Sequence, residues 1–323
     1  MQNYNSKFKT FNIVFFGSSN FAAPSLRALL DTRHKIQAVV TQPDRKKGRG
    51  LHLEATPVKS IAQDAGLKIY QPEDINSLEA VKLLKDLKPD LFVVMAYGQI
   101  LSQEILDIPQ IFSLNIHASL LPEYRGAAPI NWALINGDKI TGVTAIKMTE
   151  CLDAGDVISQ DAIEVNDFDT ALTLEEKLSC EAGELLIRTL KAVKAGAYKL
   201  MPQDNEKASL APKLKKEDGL INWQKPAQDI SNLIRGCLGW PGAFTYYKGK
   251  MFKVCKTRVS EYRSIGVSGE IIRVYKEGIE VSTGKDNLII EELQIEGKRR
   301  MNVEEFIAGH RIKAGEVLGK LIA

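Results

Sequence analysis

The chain has 323 residues, 44% of them hydrophobic and 26% charged, with a formal net charge of +3 at pH 7. These are values of a folded globular protein of one to three domains, with two as the first expectation, and they exclude a disordered chain, a collagen-like fibre and a coiled coil. The longest apolar stretches, such as Leu91 to Ala96, fall far short of the roughly 18 residues a membrane-spanning helix needs, and Met1 to Thr10 lacks a signal-peptide core, so the cytoplasm and no membrane are expected.

In chain order, the first half alternates short apolar, β-branched runs with amphipathic stretches. Asn12–Phe16, Ile36–Thr41, Leu91–Ala96, Phe112–His117 and Val143–Met148 read as buried strands. Ala22–Leu30, Val58–Ala65 and Leu78–Leu87 repeat their apolar residues at helical spacings. Strand and helix in alternation imply parallel pairing, so an open, Rossmann-like, mostly parallel α/β sheet with helices on both faces is expected over roughly residues 10–195. Thr173 to Lys194 reads as one long helix opened by Thr173 with Glu176, in the spacing of a capping box. The periodicity breaks between Tyr198 and Trp223. Beyond it, Phe252–Val259, Gly269–Val274, Gly278–Val281 and Asn287–Leu293 are short strands between glycine-containing and charged turns, the pattern of a small all-β barrel. The expected division is therefore 1–200, a linker over 201–214, and a second domain over 215–323.

Charge divides unevenly along that boundary. Residues 1–203 carry 22 Lys and Arg against 24 Asp and Glu, whereas residues 204–323 carry 21 against 16. A basic surplus of this size suits a polyanionic partner or a merely soluble surface. The four cysteines, Cys151, Cys180, Cys237 and Cys255, stand far apart and the chain holds four histidines, so neither a disulfide framework nor a metal site is expected.

Several stretches carry residue types suited to chemistry. Gly17-Ser18-Ser19-Asn20 lies between the first strand and a helix and reads either as a tight turn or as an anion-binding turn; it lacks the GxGxxG spacing of a dinucleotide site. In Asn115-Ile116-His117, strand alternation sends the amide and the imidazole to one face, at the carboxyl end of an interior strand. A satisfied structural pair is the other reading. Ser119 to Ile130 follows as a loop rich in Pro and Gly, and Leu152-Asp153-Ala154-Gly155-Asp156 puts two carboxylates in a glycine-containing turn. An amide donor, an imidazole and a carboxylate at one sheet edge suit acyl transfer: Asn115 and a protonated His117 would stabilise the oxyanion formed at a carbonyl, Asp153 would supply the opposite charge, and either His117 or Asp153 would help take a proton from an attacking amine. No Ser or Cys nucleophile accompanies them.

These motifs together resemble the folate-dependent formyltransferases. The likeness covers Thr41-Gln42-Pro43-Asp44-Arg45 with Gly48-Arg49-Gly50, Ala96-Tyr97-Gly98, the Asn115/His117 pair, Ser119 to Ile130, and Gly142-Val143-Thr144 leading to Asp153. It continues through Ala211-Pro212-Lys213-Leu214, Gly219 to Trp223, Ile234-Arg235 and Trp240-Pro241-Gly242. The later motifs and the basic barrel point to the branch of the family that acts on tRNA. The resemblance implies that 10-formyltetrahydrofolate is the cosubstrate, without a metal, and that its formyl group passes to the α-amino group of methionine carried by initiator tRNA. It implies catalysis by Asn115, His117 and Asp153, and folate binding by Ser119, Leu120, Leu121 and Pro122 together with Ala96, Tyr97 and Gly98. It implies tRNA contact by Arg45, Lys46, Lys47 and Arg49, which on residue types alone read as a solvated charge cluster, and an OB-like C-terminal domain holding the rest of the acceptor stem. A monomer is expected.

The sequence departs from the family pattern in three places. Ser18-Ser19-Asn20 stands where a Thr-Pro-acidic sequence is usual, Ala118 stands for a common Gly, and Glu123 for a frequent basic residue. The nearest alternative is a formyltransferase for a small amine, such as glycinamide ribonucleotide or an amino sugar, which needs no basic barrel.

Overall fold

An unbroken apolar run can lie in a sheet only where both faces are covered, and the centre of the first sheet is built from such runs. In a computed structural model, which describes residues 10–47, 52–261 and 266–319, strand β1 (Asn12–Gly17) has Ile13, Val14, Phe15 and Phe16 all at 0% exposure. Strand β2 (Lys35–Val40), the hairpin β3 (Arg45–Lys47) and β4 (His52–Glu54), β5 (Ile69–Tyr70), β6 (Leu91–Met95), β7 (Phe112–His117), β8 (Ile140–Lys147) and β9 (Val157–Glu164) follow. Apart from the separate β3–β4 hairpin they form one sheet in the order β5-β2-β1-β6-β7-β8-β9. The pairs from β5 to β7 are parallel. The last two pairings, β7 with β8 and β8 with β9, are antiparallel.

The expected α/β sheet is thus present, with an antiparallel flank whose last strand, β9, is not among the strands expected from sequence. Its outer residues alternate between half-buried and exposed, so β9 lacks the dense apolar run that marks the central strands. Strand order reverses on either side of β1, with β2 to one side and β6 to the other, and the carboxyl ends of β1, β6 and β7 therefore open onto the switch point where such sheets bind ligands.

Helices α1 (Ala23–Leu30), α2 (Pro57–Asp64), α3 (Leu78–Asp86) and α4 (Gln103–Leu106) connect the parallel strands. Their starts follow local chemistry. Thr56 accepts the Lys59 amide and precedes Pro57 at the start of α2, and Ser77 accepts the Ala80 amide at the start of α3. Val14 and Phe16 share one core with Val81 and Leu84 of α3 and Ile105 of α4. Helix α5 (Pro129–Asn136) ends at Gly137 in the left-handed region, and α6 (Ala171–Ala195) is the expected long helix. Its first turn is capped one turn earlier than the sequence suggests: the Thr173 amide donates to Thr170 Oγ1 at 3.3 Å, while the Thr170 amide donates to Thr173 Oγ1 at 2.9 Å.

The chain groups into two units, one formed by residues 1–127, 140–164 and 175–211, the other by 128–139, 165–174 and 212–323. In the second, β10 (Phe244–Tyr247), β11 (Lys250–Val259), β12 (Ile271–Tyr275), β13 (Gly278–Ser282), β14 (Asn287–Ile295) and β15 (Met301–Asn302) make an antiparallel sheet in the order β10-β11-β14-β13-β12, with β15 on β14. Helices accompany these strands, of which β10 and β15 lie outside the four expected from sequence. Ile230 and Ile234 of α7 (Ala227–Gly236) and Val303 and Phe306 of α8 (Val303–Gly309) pack into one core with Phe252, Val281, Ile290 and Leu293. Among the described residues no helix is long and apolar enough to cross a membrane.

Candidate active site

Strand β7 delivers the amide and the imidazole together. Asn115 and His117 share one face of the strand and are buried to 8% and 7% exposure, while Ile116 between them takes the other face at 1%. The carboxylate arrives from the turn between β8 and β9. Asn115 Nδ2 donates to Asp153 Oδ1 at 3.4 Å, and His117 Nδ1 lies 3.6 Å from the same oxygen. The other carboxylate oxygen, Oδ2, accepts the Gly126 amide at 2.9 Å. The three side chains nominated from sequence therefore converge on one oxygen, from positions up to 38 residues apart.

The imidazole is oriented by the loop that follows it. His117 Nε2 lies 2.9 Å from the Tyr124 carbonyl oxygen. A carbonyl can only accept, so Nε2 carries a proton and Nδ1 is the ring edge turned to Asp153. The loop itself is fixed from behind. The Thr144 hydroxyl donates to the Ser119 carbonyl at 2.6 Å and accepts the Leu121 amide at 3.1 Å, and Gln160 Nε2 donates to the Leu121 carbonyl at 2.7 Å. Residues 209–211 run alongside: the Tyr124 amide donates to Ser209 Oγ and the Ala211 amide to the Arg125 carbonyl. Gly126 has φ +125°, and a Cβ there would stand 2.7 Å from the Ala211 carbonyl oxygen, so only glycine allows this approach.

The turn that carries Asp153 is held as tightly. Asp153 has φ +50°, which a non-glycine residue adopts only at a cost. Two features keep it there. Gly155 lies so close to strand β8 that a Cβ would come within 1.8 Å of the Lys147 carbonyl oxygen. Gln203 Nε2 donates to the carbonyls of both Asp153, at 2.8 Å, and Gly155, at 2.7 Å. Gln203 Oε1 in turn accepts from Arg125 Nε at 3.0 Å and Nη2 at 2.7 Å. Gln203 thus joins the Asp153 turn to the loop after His117. In sequence it falls within the linker expected over 201–214, because its partners are 48 to 78 residues away and its polar surroundings have no periodicity.

The residues expected at the folate occupy the same edge with unequal access. Ala96 and Gly98 are exposed just beyond β6, which pairs with β7 in the register Val94 to Asn115. Tyr97 is 2% exposed, with its ring edge-on to Phe16 at 5.5 Å, so it offers a ligand backbone and not side chain. Burial pushes the Tyr97 phenol well above its ordinary pKa, with the Asp74 charge adding to the effect. Leu120 and Pro122 are half-buried, and Leu121 and Ser119 are buried, the Ser119 hydroxyl donating to the Glu123 carbonyl at 2.6 Å. Of the basic group, Arg45 is exposed at the start of β3 and Lys46 and Lys47 continue that strand; Arg49 lies outside the described residues. The base of this arm is braced by Asp44, which accepts from Lys59 Nζ at 2.6 Å and from Gln71 Nε2 at 2.9 Å; these hydrogen bonds, Lys59 foremost, hold the Asp44 carboxyl below the usual carboxylate range.

With this geometry in place, comparison with known proteins is decisive. Residues 11–190 match the family described as formyl transferase, and residues 213–311 match that family's C-terminal domain. The chain belongs to the formyl transferase family. The methionyl-tRNA formyltransferase of Acetivibrio thermocellus is 46% identical to it over 309 residues, covering 95% of this chain and 99% of that protein. That of Clostridium perfringens is 46% identical over 307 residues, covering 95% and 99%. Among solved structures, the N-formyltransferase from Helicobacter canadensis in complex with folinic acid and dTDP-3-aminofucose aligns with a TM-score of 0.67 at 20% identity, covering 87% of this formyltransferase and 99% of that chain. At that identity the likeness speaks for the fold.

Proposed function

We propose that the chain transfers the formyl group of 10-formyltetrahydrofolate to the α-amino group of methionine on initiator tRNA, giving formylmethionyl-tRNA for translation initiation and releasing tetrahydrofolate. The observation that carries this reading is the convergence of Asn115, His117 and Asp153 on one carboxylate oxygen, in a chain that aligns along 95% of its length with enzymes of that name.

On this reading the amine attacks the formyl carbon, and the carbonyl oxygen becomes an oxyanion beside the Asn115 amide and the imidazole. Donors held in place before charge develops cost no reorganisation during the reaction. Because His117 Nε2 is engaged by Tyr124, Nδ1 or the Asp153 carboxylate takes the proton from the attacking amine, and Nδ1, once protonated, donates to the oxyanion beside the Asn115 amide. The oxyanion then collapses to the carbonyl of the new formamide as the C–N bond to the folate N10 breaks, and N10 takes up the proton that the His117–Asp153 pair removed from the amine. Ala96, Gly98, Leu120 and Pro122 line the folate, with Tyr97, Ser119 and Leu121 shaping the pocket from beneath. Arg45, Lys46, Lys47 and Arg49 meet acceptor-stem phosphates, and residues 215–323 hold the remainder of the tRNA, connected by 201–214 to a catalytic region over 1–200. The enzyme acts as a monomer in the cytoplasm, with no metal.

The test is an acceptor comparison. Purified protein with 10-formyltetrahydrofolate should formylate methionyl initiator tRNA, and should leave glycinamide ribonucleotide and amino sugars unmodified over the same time. Equal transfer to either small amine would refute the tRNA reading and favour the alternative acceptor.

A further inference from the structure

Between the first strand and the rest of the site lies a hydroxyl whose hydrogen-bonding capacity is fully used. A serine hydroxyl has one proton to donate and two lone pairs to accept with. Ser18, immediately after β1, donates to the Tyr97 carbonyl at 3.0 Å, accepts the Gln42 amide at 3.0 Å and accepts the Thr41 hydroxyl at 3.3 Å. Thr41 is wholly buried and its Oγ1 lies 2.7 Å from Thr56 Oγ1. Since the Thr41 proton goes to Ser18, the Thr56 proton goes to Thr41, and Thr56 Oγ1 accepts the Lys59 amide at 3.1 Å. The chain of donors runs one way, from Thr56 at the start of α2, through Thr41 at the end of β2, to Ser18 and the Tyr97 carbonyl. These donors polarise one another in sequence. The anion-binding reading of this turn has no hydroxyl proton of Ser18 left to use.

The two segments joined by Ser18 are the arm base, Thr41 to Arg45, and the loop Ala96 to Gly98. They touch a second time. Gln42 Nε2 is buried without a hydrogen-bond partner among the described residues and stands 3.8 Å from where a Cβ on Gly98 would be, while Gln42 Oε1 accepts from Arg45 Nη2 at 3.3 Å. Lys59 and Gln71 hold Asp44 from the far side, and Gln71 Nε2 also donates to the Gln42 carbonyl at 2.8 Å. A shift of the Tyr97 carbonyl therefore reaches the Gln42 amide through one oxygen atom, and reaches Arg45 through the Gln42 side chain.

We infer that Ser18 is a positioning residue whose hydroxyl couples the folate loop to the base of the basic arm, so that folate and tRNA bind cooperatively. The inference rests on the function proposed above, in which Ala96 to Gly98 meets the folate and Arg45 meets the tRNA. A folate that fixes the Tyr97 carbonyl fixes the arm base, and the tRNA must tighten folate binding by the same factor.

The experiment is calorimetric titration of the full-length protein with tetrahydrofolate, in the absence and presence of saturating uncharged initiator tRNA. Wild type and Ser18→Thr, which keeps the hydroxyl, should bind tetrahydrofolate about fivefold more tightly with tRNA present. Ser18→Ala should bind both ligands separately with a factor near one. Thr41→Val, which removes the upstream donor at nearly constant volume, should lower the factor part-way and gives an independent reading if the alanine variant folds poorly. Undiminished coupling in Ser18→Ala and Thr41→Val, even with a lowered melting temperature, would reduce Ser18 to a structural role and overturn the inference. Binding of both ligands to wild type without coupling would overturn it too, leaving the function intact. Failure of wild type to bind either ligand would overturn the functional reading and the inference with it.

Discussion

Two carboxylates, one in each unit, are held in different ways: Asp153 in the proposed site and Glu280 in a hydrogen-bonded network on β13. Glu280 on β13 is 1% exposed and accepts four short hydrogen bonds: from Ser260 Oγ at 2.8 Å, Asn287 Nδ2 at 2.9 Å, Arg273 Nε at 2.8 Å and Arg273 Nη2 at 2.7 Å. Burial works to raise its pKa, and the bonds from Asn287, Arg273 and Ser260 outweigh burial and leave it lowered. Asp153 receives one short bond, from the Gly126 amide, while Asn115 and His117 stand at 3.4 and 3.6 Å from its other oxygen. Those longer distances mark weak contacts, and catalytic contacts often tighten only when substrate is bound. Asp153 is placed by its backbone, through Gly155 and Gln203, whereas Glu280 is placed by its side chain.

The contrast can be broken by substitution, beginning where the effect is greatest. Asp153→Asn should lower kcat by at least about 10²-fold, with unfolding free energy changed by less than about 1 kcal/mol, measured by formylation kinetics and urea titration. Glu280→Ala should do the reverse. It removes the acceptor shared by Ser260, Asn287 and Arg273, costing about 1–3 kcal/mol in urea unfolding and leaving kcat within about twofold. A comparable loss of turnover in both variants would erase the distinction. Gln203→Ala, which frees the Asp153 turn without touching its side chain, should cost about tenfold in kcat, visible in single-turnover rates with saturating substrates.

The smallest effect concerns a third, more exposed carboxylate. Burial alone would raise the Glu316 carboxyl, yet hydrogen bonds from Lys248, the Lys313 amide and the Tyr247 hydroxyl hold it down at about 2. A carboxyl depressed in the folded state adds stability above its unfolded pKa of about 4.5, and that stability is lost as pH falls towards the folded value. With the Glu316 side chain 29% exposed, Glu316→Gln should cost less than about 1 kcal/mol at neutral pH. The difference from wild type, followed by urea unfolding, should shrink steadily between pH 4.5 and pH 2.

How far the sequence discloses this arrangement depends on how local each cause is. The strands at the centre of the first sheet are legible because burial on both faces demands apolar runs such as Leu91 to Met95. Asn115 and His117 are legible as a pair because strand alternation alone puts them on one face. Asp153 stands out through its glycine-containing turn. Helix α7 and its C-cap carry the apolar spacing of Ile230, Leu233, Ile234 and Cys237, so its signal is present in the sequence although it is not among the expected elements. Gln203 is different in kind. Nothing in a polar run between Met201 and Ser209 marks the one amide that reaches Asp153 and Gly155, because that role exists only once β8, β9 and the chain after α6 are assembled. The inward turn of Tyr97 is equally non-local, set by Phe16 on a strand far away in sequence.

The most direct measurement is the single-turnover rate of formyl transfer to methionyl initiator tRNA by Asn115→Ala, set beside the tRNA dissociation constant of the same variant. With one oxyanion donor removed, the rate should fall about 10²–10³-fold while tRNA affinity stays within about twofold of wild type. An unchanged rate, or a loss accounted for entirely by weaker tRNA binding, would contradict the assignment of the Asn115, His117 and Asp153 cluster as the site of transfer.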